Sequence, residues 1–136
     1  MPAARWPLVN DRPTIWVELS ALHGGSGLDR CLVADTGAGD RQSVFQLVLD
    51  EDDCVHCGGI SIGLVQLGGA YSGSFPLYLL NVRIAVLSFS QPVPVVGVSQ
   101  PPQGFGGIAG FGFLNRFHYG NFGYPGYFGI DTLVVP

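Results

Sequence analysis

The chain contains no lysine, and charged residues of both signs make up only 12% of its 136 residues. Six arginines stand against ten acidic residues, which gives a formal net charge of -4 at pH 7. Such a chain has no basic surface that would hold phosphate groups. We therefore expect no nucleic-acid partner.

Cysteine is also scarce, and long uninterrupted apolar runs are missing. Three cysteines, an odd number, do not form a disulfide framework, which agrees with a reducing compartment. The longest apolar stretch, residues 75–89, contains Asn81 and Arg83 and is too short to cross a bilayer. The amino terminus lacks the basic, apolar and small-residue pattern of a signal peptide. These absences predict a cytoplasmic protein without membrane contact.

The chain is instead rich in apolar residues, glycine and proline. Hydrophobic residues account for 47% of it, and 21 glycines and 10 prolines separate β-branched and aromatic runs. Long amphipathic helical patterns are missing, so the composition predicts an all-β fold of short strands. The length fits one domain, which we place at residues 13–136 after an N-terminal arm of residues 1–12. The high apolar content also predicts a surface covered by a partner subunit.

Apolar periodicity predicts seven strands and one helix. The predicted strands are residues 14–19, 28–34, 43–49, 60–67, 75–89 (as one long strand or a bent pair), 93–98 and 130–135. The acidic residues 50–53 are predicted to form a solvated turn. The fourth and fifth strands have the pattern of a hairpin with a glycine-rich tip at residues 68–73. Phe113, Leu114 and Phe117 fall at helical spacing and predict one short helix near the C-terminus.

One segment carries a pattern with a chemical meaning, because an apolar strand, Cys31-Leu32-Val33-Ala34, leads into a tight loop, Asp35-Thr36-Gly37-Ala38. This segment resembles the active-site signature of the retropepsin-like aspartic proteases. The glycine-rich hairpin tip lies where that family has its flap, and Ile108-Ala109-Gly110 precedes the short helix as the family's second landmark does. The length fits one lobe with a single Asp-Thr-Gly. The resemblance spans about residues 14–135.

The resemblance implies a barrel lobe that is catalytic only as a homodimer, with the chain termini contributing strands to the interface. Peptide hydrolysis without a covalent intermediate needs a base for the water and an acid for the carbonyl oxygen, and two carboxyl groups that share a proton supply both. Each chain offers one such group, Asp35. The implied activity is that of an endopeptidase for extended peptides, without a cofactor or a metal.

The resemblance also implies roles for the neighbouring residues. Thr36 would hydrogen-bond across the dyad to the partner's loop, and Gly37 would let its backbone N–H approach the carboxylates. Ala38 and Gly39 would form the floor of a subsite, and Asp40 would lie beside the substrate. The flap residues implied to contact substrate are Gly68, Gly69, Ala70 and Tyr71. For Tyr71, an exposed turn residue without such a role is an equal alternative.

Two positions depart from the family pattern. Gly39 stands where the family has a small polar residue, and Ala109 is small for the apolar position before Gly110. They motivate an alternative, a catalytically weak or inactive retropepsin-like module for dimerisation or peptide binding. A third interpretation is a monomeric structural β-domain, in which Asp35-Thr36-Gly37 is an Asx turn at the end of a strand.

Two glycine motifs have structural explanations that we favour. Gly59-Ile60-Ser61-Ile62-Gly63 matches the nucleophile elbow of α/β-hydrolases, but its flanks predict strand on both sides instead of strand, turn and helix. Residues 104–109 satisfy a loose dinucleotide fingerprint, yet no βαβ unit follows that would hold a pyrophosphate. Neither motif predicts a site.

Cys54-Val55-His56-Cys57 offers three of the four ligands that a closed zinc site needs. The remaining candidates, Cys31, His23 and His118, are isolated in the sequence. We therefore expect a loop with incidental thiols and no metal. A disulfide between Cys54 and Cys57 on oxidation stays open as an alternative.

Overall fold

The computed structural model of the chain describes residues 2–133. It is 50% strand and 11% helix, so the prediction of an all-β fold is confirmed. The strands are β1 (Ala4–Pro7), β2 (Thr14–Ser20), β3 (Leu28–Ala34), β4 (Leu47–Asp50), β5 (Ser61–Leu67), β6 (Gly73–Ile84), β7 (Phe89–Val98), β8 (Gly107–Ala109), β9 (Phe117–Gly120) and β10 (Tyr127–Thr132). The helices are α1 (Glu51–His56) and α2 (Phe111–Leu114), with 3-10 turns at Gly69–Tyr71 and Ala85–Leu87.

The larger sheet closes into a six-stranded barrel. Its strands follow the order β2-β3-β8-β4-β7-β6, and β6 returns to pair with β2, which places Leu19 opposite Val82. Strand β5 pairs antiparallel with β6 and extends the sheet beyond the barrel. Closure pairs the backbone groups that an open sheet would leave at its edges.

Alternate residues of the strands fill the barrel. On β2, Ile15, Val17 and Leu19 are buried, whereas Trp16 and Glu18 lie on the outer face, as the two-residue period of a strand requires. The largest fully buried side chains are Phe113, Ile15, Leu19, Leu32, Leu47, Leu49, Leu80, Leu114 and Ile130. Helix α2 therefore closes the core with Phe113 and Leu114.

Strand β8 lies between two strands that are distant from it in sequence. It runs parallel to β3, with Ala109 beside Ala34, and antiparallel to β4, with Ala109 beside Leu47. Both β3 and β8 therefore end at the same side of the barrel. The loop that begins at Asp35 and the turn at Gly110 are brought together there.

The predicted N-terminal arm contains a strand. Strand β1 pairs antiparallel with β10, and β10 pairs with β9 on its other side, which forms a separate three-stranded sheet. Trp6 and Leu8 pack against the main core. The strand predicted at residues 130–135 overlaps β10 only at residues 130–132, because β10 begins at Tyr127 and ends at Thr132; residues 134 and 135 lie outside the described residues. In this single chain the two terminal strands pair with each other.

The structure corrects three local predictions. The acidic segment 50–53 is not a solvated turn, because Asp50 caps α1 by accepting a hydrogen bond from the backbone N–H of Asp52 at 2.9 Å. Acidic residues in the first turn also stabilise the positive end of a helix. Residues 2–133 thus contain two short α-helices where one was predicted. The strand predicted at 43–49 is restricted to β4, and the strand predicted at 75–89 ends at Ile84.

An ion pair fixes α1 to the outside of the barrel. The guanidinium of Arg30 donates to both carboxylate oxygens of Asp53, from Nε at 2.8 Å and from a terminal nitrogen at 3.0 Å. This hydrogen bond raises the pKa of Arg30 above its ordinary value. Such a bidentate pair orients both side chains. Neither helix in residues 2–133, nor either 3-10 turn, has the length and hydropathy needed to span a membrane.

Replacing Gly107 by alanine is expected to destabilise the barrel. A Cβ at this position would collide with the backbone carbonyl oxygen of Val48 and would lie 3.1 Å from the side chain of Leu49. The φ angle of +157° adds strain for any other residue. We expect G107A to lose about 3 kcal/mol of unfolding free energy, measured by urea denaturation.

The matched control is Gly63→Ala on β5, where a Cβ would meet nothing within 4 Å. G63A is expected to change the unfolding free energy by less than about 1 kcal/mol. Equal losses for the two variants would contradict the tight packing of β8 between β3 and β4.

Candidate active site

Asp35 lies directly after β3, at the side of the barrel where β8 also ends. Its backbone N–H donates to the carbonyl oxygen of Ala109 at 2.9 Å, which continues the pairing of the two strands by one bond. Its carboxylate accepts the backbone N–H of Gly37 at 2.9 Å through Oδ1. Oδ2 accepts no hydrogen bond from residues 2–133, and the side chain is half-buried. One carboxylate oxygen is thus held by the loop, and the other has no hydrogen-bond partner among the described residues.

Gly37 is needed for this geometry because of its size. A Cβ on residue 37 would lie 3.2 Å from Oδ1 of Asp35, closer than most side chains tolerate. The loop is closed by a further bond, from the backbone N–H of Ala38 to the carbonyl oxygen of Asp35 at 3.1 Å. Thr36 is exposed beside it, and its hydroxyl makes no hydrogen bond within the described part of the chain. The local geometry is that of an Asx turn, which is compatible with a structural role and with a catalytic one.

The backbone conformation at position 39 explains why glycine stands there, which is one of the two departures from the family pattern. Its φ is +78°, a left-handed conformation that glycine adopts without strain. A Cβ there would also approach the hydroxyl of Ser43 at 3.1 Å and the ring of Phe45 at 3.4 Å. This chain therefore requires glycine at position 39 for its own turn. The carboxylate of Asp40 is used in the same turn, where it accepts the backbone N–H of Gln42 at 2.8 Å.

The second landmark, Ile108-Ala109-Gly110, lies directly behind the Asp35 loop. Ala109 is fully buried, and the backbone N–H of Phe111 donates to the carbonyl oxygen of Ala38 at 2.9 Å. A Cβ at Gly110 would lie 2.6 Å from that same oxygen. The small residues at 109 and 110 thus allow the start of α2 to support the loop. Both residues lie behind the loop and do not line the adjacent cavity.

A cavity of about 290 Å³ joins the Asp35 loop to the hairpin tip. Six predicted site residues line it: Gly37, Ala38, Gly39, Gly68, Tyr71 and Ile108. The predicted residues Asp35, Thr36, Asp40, Gly69, Ala109 and Gly110 do not line it, and the side chain of Ala70 lies outside the described part of the structure. Asp35 nevertheless belongs to the loop that forms one wall. The structure therefore brings together segments that are separate in the sequence.

Four lining residues were not predicted: Phe45, Val48, Gln66 and Leu67. Phe45, Val48 and Leu67 belong to a second hydrophobic cluster outside the barrel core, together with Val96 and Val98. The strands that carry Val48 and Leu67 were predicted in part, but the sequence does not show which of their faces meet. The ten described lining residues are uncharged and mostly apolar, and their polar side-chain groups are the amide of Gln66 and the hydroxyl of Tyr71.

Tyr71 is part of the cavity wall. It packs against the second hydrophobic cluster and is half-buried, and this burial raises the pKa of its hydroxyl. The hairpin below it is held by a hydrogen bond from the hydroxyl of Ser74 to the amide oxygen of Gln66 at 2.7 Å. The alternative of an exposed turn tyrosine does not describe this position.

Of the other motifs, the segment Gly59–Gly63 leads into a strand as predicted, whereas the loop predicted for Cys54–Cys57 is wrong, because this segment belongs to helix α1 and its C-cap. Ser61 lies on β5 and donates to the carbonyl oxygen of Gly63 at 3.2 Å, with no helix after it. His23 and His118 are exposed. Cys54 and Cys57 are free thiols on the buried side of α1, whereas His56 is exposed, and residues 2–133 contain no cluster of three or more metal-ligating side chains.

Comparison with known proteins found no match among family models, curated proteins or solved structures. The retropepsin-like interpretation therefore depends on the residues and geometry described above.

Cys54 is expected to be inert towards thiol reagents in the folded protein. Burial, then the neighbouring Cys57 and Asp53, raises the pKa of its thiol to about 12, so only about one molecule in 10⁴ is a thiolate at pH 8. Labelling with iodoacetamide followed by mass spectrometry should modify the half-buried Cys31 first and Cys54 far more slowly in the folded protein than after unfolding. The labelling rate of Cys54 should rise about tenfold per pH unit while the fold persists, and rapid labelling at pH 7 would contradict this placement.

Proposed function

We propose that the chain is an aspartic endopeptidase whose catalytic centre is completed by a second copy of itself. The observation that carries the proposal is the placement of the Asp35 loop beside an apolar cavity whose far wall is the hairpin tip. A half-exposed carboxylate next to a cavity of this kind has the access to water and to substrate that hydrolysis requires.

The need for a second copy follows from the chemistry of the site. Hydrolysis by carboxyl groups uses one ionised group as the base and one protonated group as the acid. None of the residues that line the cavity is acidic, and the 35–39 loop contributes Asp35 alone. A two-fold axis beside this loop would bring a second Asp35 into place. Two such carboxyl groups within about 3 Å share one proton, because both cannot be ionised at once.

The proposed reaction balances without a cofactor. The ionised carboxylate removes a proton from water, and the resulting oxygen attacks the carbonyl carbon of the peptide. The protonated carboxyl group gives its proton to the carbonyl oxygen, which yields a tetrahedral diol. In the second half, the C–N bond breaks, the nitrogen takes a proton from one carboxyl group, and a hydroxyl of the diol returns a proton to the other. The pair ends in its starting protonation state.

Substrate binding in this proposal uses the cavity and the hairpin. Phe45, Val48, Leu67 and Ile108 offer apolar contacts for a substrate side chain. An extended peptide also offers backbone groups to the hairpin, in the manner of an added strand. The glycines at 37, 39 and 68 leave the backbone accessible at three points of the wall.

A second candidate function is a peptide-binding module without turnover. One observation favours it: one chain by itself has a single carboxylate in the 35–39 loop, and the described residues that line the cavity beside this loop are uncharged. Such a module would use the same apolar contacts and the same hairpin. The two functions are separated by the fate of the peptide, cleaved in one case and bound intact in the other.

Replacing Asp35 by asparagine is expected to abolish cleavage and preserve the fold. Asparagine keeps an oxygen for the N–H of Gly37, so the loop is retained, but it can neither accept nor donate the catalytic proton. Cleavage of a peptide library, followed by mass spectrometry, should fall by at least about 10³-fold for D35N. Sedimentation should show an unchanged dimer.

The matched control for this experiment is Asp11→Asn. Asp11 is an exposed carboxylate in a turn with a φ of +59°, which asparagine also tolerates. D11N should cleave at the rate of the parent chain. Cleavage by D35N at the parent rate would refute the catalytic role of Asp35, and binding without cleavage by the parent chain would favour the second candidate.

Mixing the parent chain with an excess of D35N tests whether the centre is shared. With a tenfold excess and free exchange of subunits, most parent chains are paired with a variant, so activity should fall about tenfold. The control is the same excess of D11N, which is itself active and should raise the total activity about elevenfold. An unchanged rate in the D35N mixture would show that one chain is sufficient.

A further inference from the structure

A second cavity, of about 340 Å³, lies over the outer face of β2. It shares no lining residue with the cavity at the Asp35 loop. Trp6 from β1 and Trp16 from β2 both line it, and these are the two tryptophans of the chain. We refer to it as the tryptophan groove.

The two indole side chains differ in their exposure to solvent. Trp6 is half-buried and packs against the main core, so the fold itself accounts for it. Trp16 is 48% exposed, although its neighbours on the inner face of β2 are fully packed. A large aromatic surface left in water at the wall of a cavity is a feature of binding sites more than of folding cores.

Three charged side chains meet in the groove because β2 pairs with two strands. Glu18 lies opposite Asp29 of β3 on one side and opposite Arg83 of β6 on the other. Arg83 and Glu18 form an ion pair with 3.6 Å between Nη1 and Oε1. Asp29 forms no ion pair with any described residue. The groove therefore has one negative charge that its own residues do not balance.

The side chain of Glu18 lies close to Gly27. A Cβ on Gly27 would lie 2.6 Å from Cγ of Glu18 and 2.8 Å from its Cδ. The stem of the carboxylate thus lies against the backbone that leads into β3. Residues opposite one another on antiparallel strands are about 5 Å apart, so the carboxylates of Glu18 and Asp29 can converge on one ligand.

We propose that the tryptophan groove binds the guanidinium group of an arginine side chain on a peptide or protein. A guanidinium is planar, stacks on the face of an indole, and donates several N–H groups that match carboxylate oxygens. Trp16 supplies the aromatic face, and Asp29 and Glu18 supply the acceptors. The cation balances the excess negative charge of the groove. This binding is independent of the function proposed for Asp35.

The test is calorimetric titration of the whole protein with an acetylated, amidated pentapeptide, Gly-Gly-Arg-Gly-Gly. The comparison peptide carries citrulline, which has nearly the shape of arginine but no charge. Both titrations use the D35N variant, so that cleavage cannot contribute heat. We expect saturable binding of the arginine peptide, at least about tenfold weaker binding of the citrulline peptide, and weaker arginine binding as salt rises.

Variants locate the binding in the groove. Asp29→Asn and Trp16→Phe should each weaken arginine binding about fivefold, and D29N should abolish most of the salt dependence. The charge-matched control, Asp52→Asn, removes an exposed carboxylate that does not line the groove and should leave the affinity unchanged. Circular dichroism confirms that each variant is folded before titration.

Three results would overturn the proposal. Equal affinity for the arginine and citrulline peptides would show that charge is not recognised. An unchanged affinity in folded D29N would place the ligand elsewhere. The lack of saturation below about 10 mM peptide would show that the groove is not a binding site.

Discussion

The position of β8 between β3 and β4 is the constraint on which the rest of the structure depends. Gly107 must lack a side chain because the backbone of Val48 occupies the space beside it. This close approach lets β8 pair in parallel with β3 and antiparallel with β4, and so completes the barrel. The same strand brings the carbonyl oxygen of Ala109 to the backbone N–H of Asp35. It leads directly into Gly110, which lies against the carbonyl oxygen of Ala38. The geometry of the candidate active site is thus a direct product of the packing that closes the core.

The sequence predicted well those features that depend on neighbouring residues. Strands β2 and β3 were predicted almost to the residue, because β-branched, aromatic and other apolar residues form two runs that a glycine-rich turn separates. The tight loop at Asp35 followed from its three-residue pattern. Helix α1 was missed, since a run of acidic residues is typical both of a solvated turn and of a capped first helical turn. Six residues are too few for helical periodicity to decide between the two.

Features that depend on pairing between distant strands could not be predicted from the sequence. Phe45, Val48 and Gln66 meet the Asp35 loop because β4 and β5 are registered through β7 and β6. The convergence of Glu18, Asp29 and Arg83 likewise requires β2 to pair on both sides. A register shift of one residue would turn these side chains to the other face. Such registers are set by the closed barrel as a whole.

The pairing of Leu32 with Gly107 also sets the time at which the Asp35 loop takes shape. The ribosome makes β3 early, but the strand that supports it is made only after four further strands, one helix and two 3-10 turns have emerged. Contacts between residues so distant in the chain form late in folding, because the intervening segment must first be ordered. A nascent chain therefore carries Asp35 for most of its synthesis without the surroundings that position it. The carboxylate of Asp35 therefore reaches its final surroundings only after the chain has been synthesised through Gly110 and has folded.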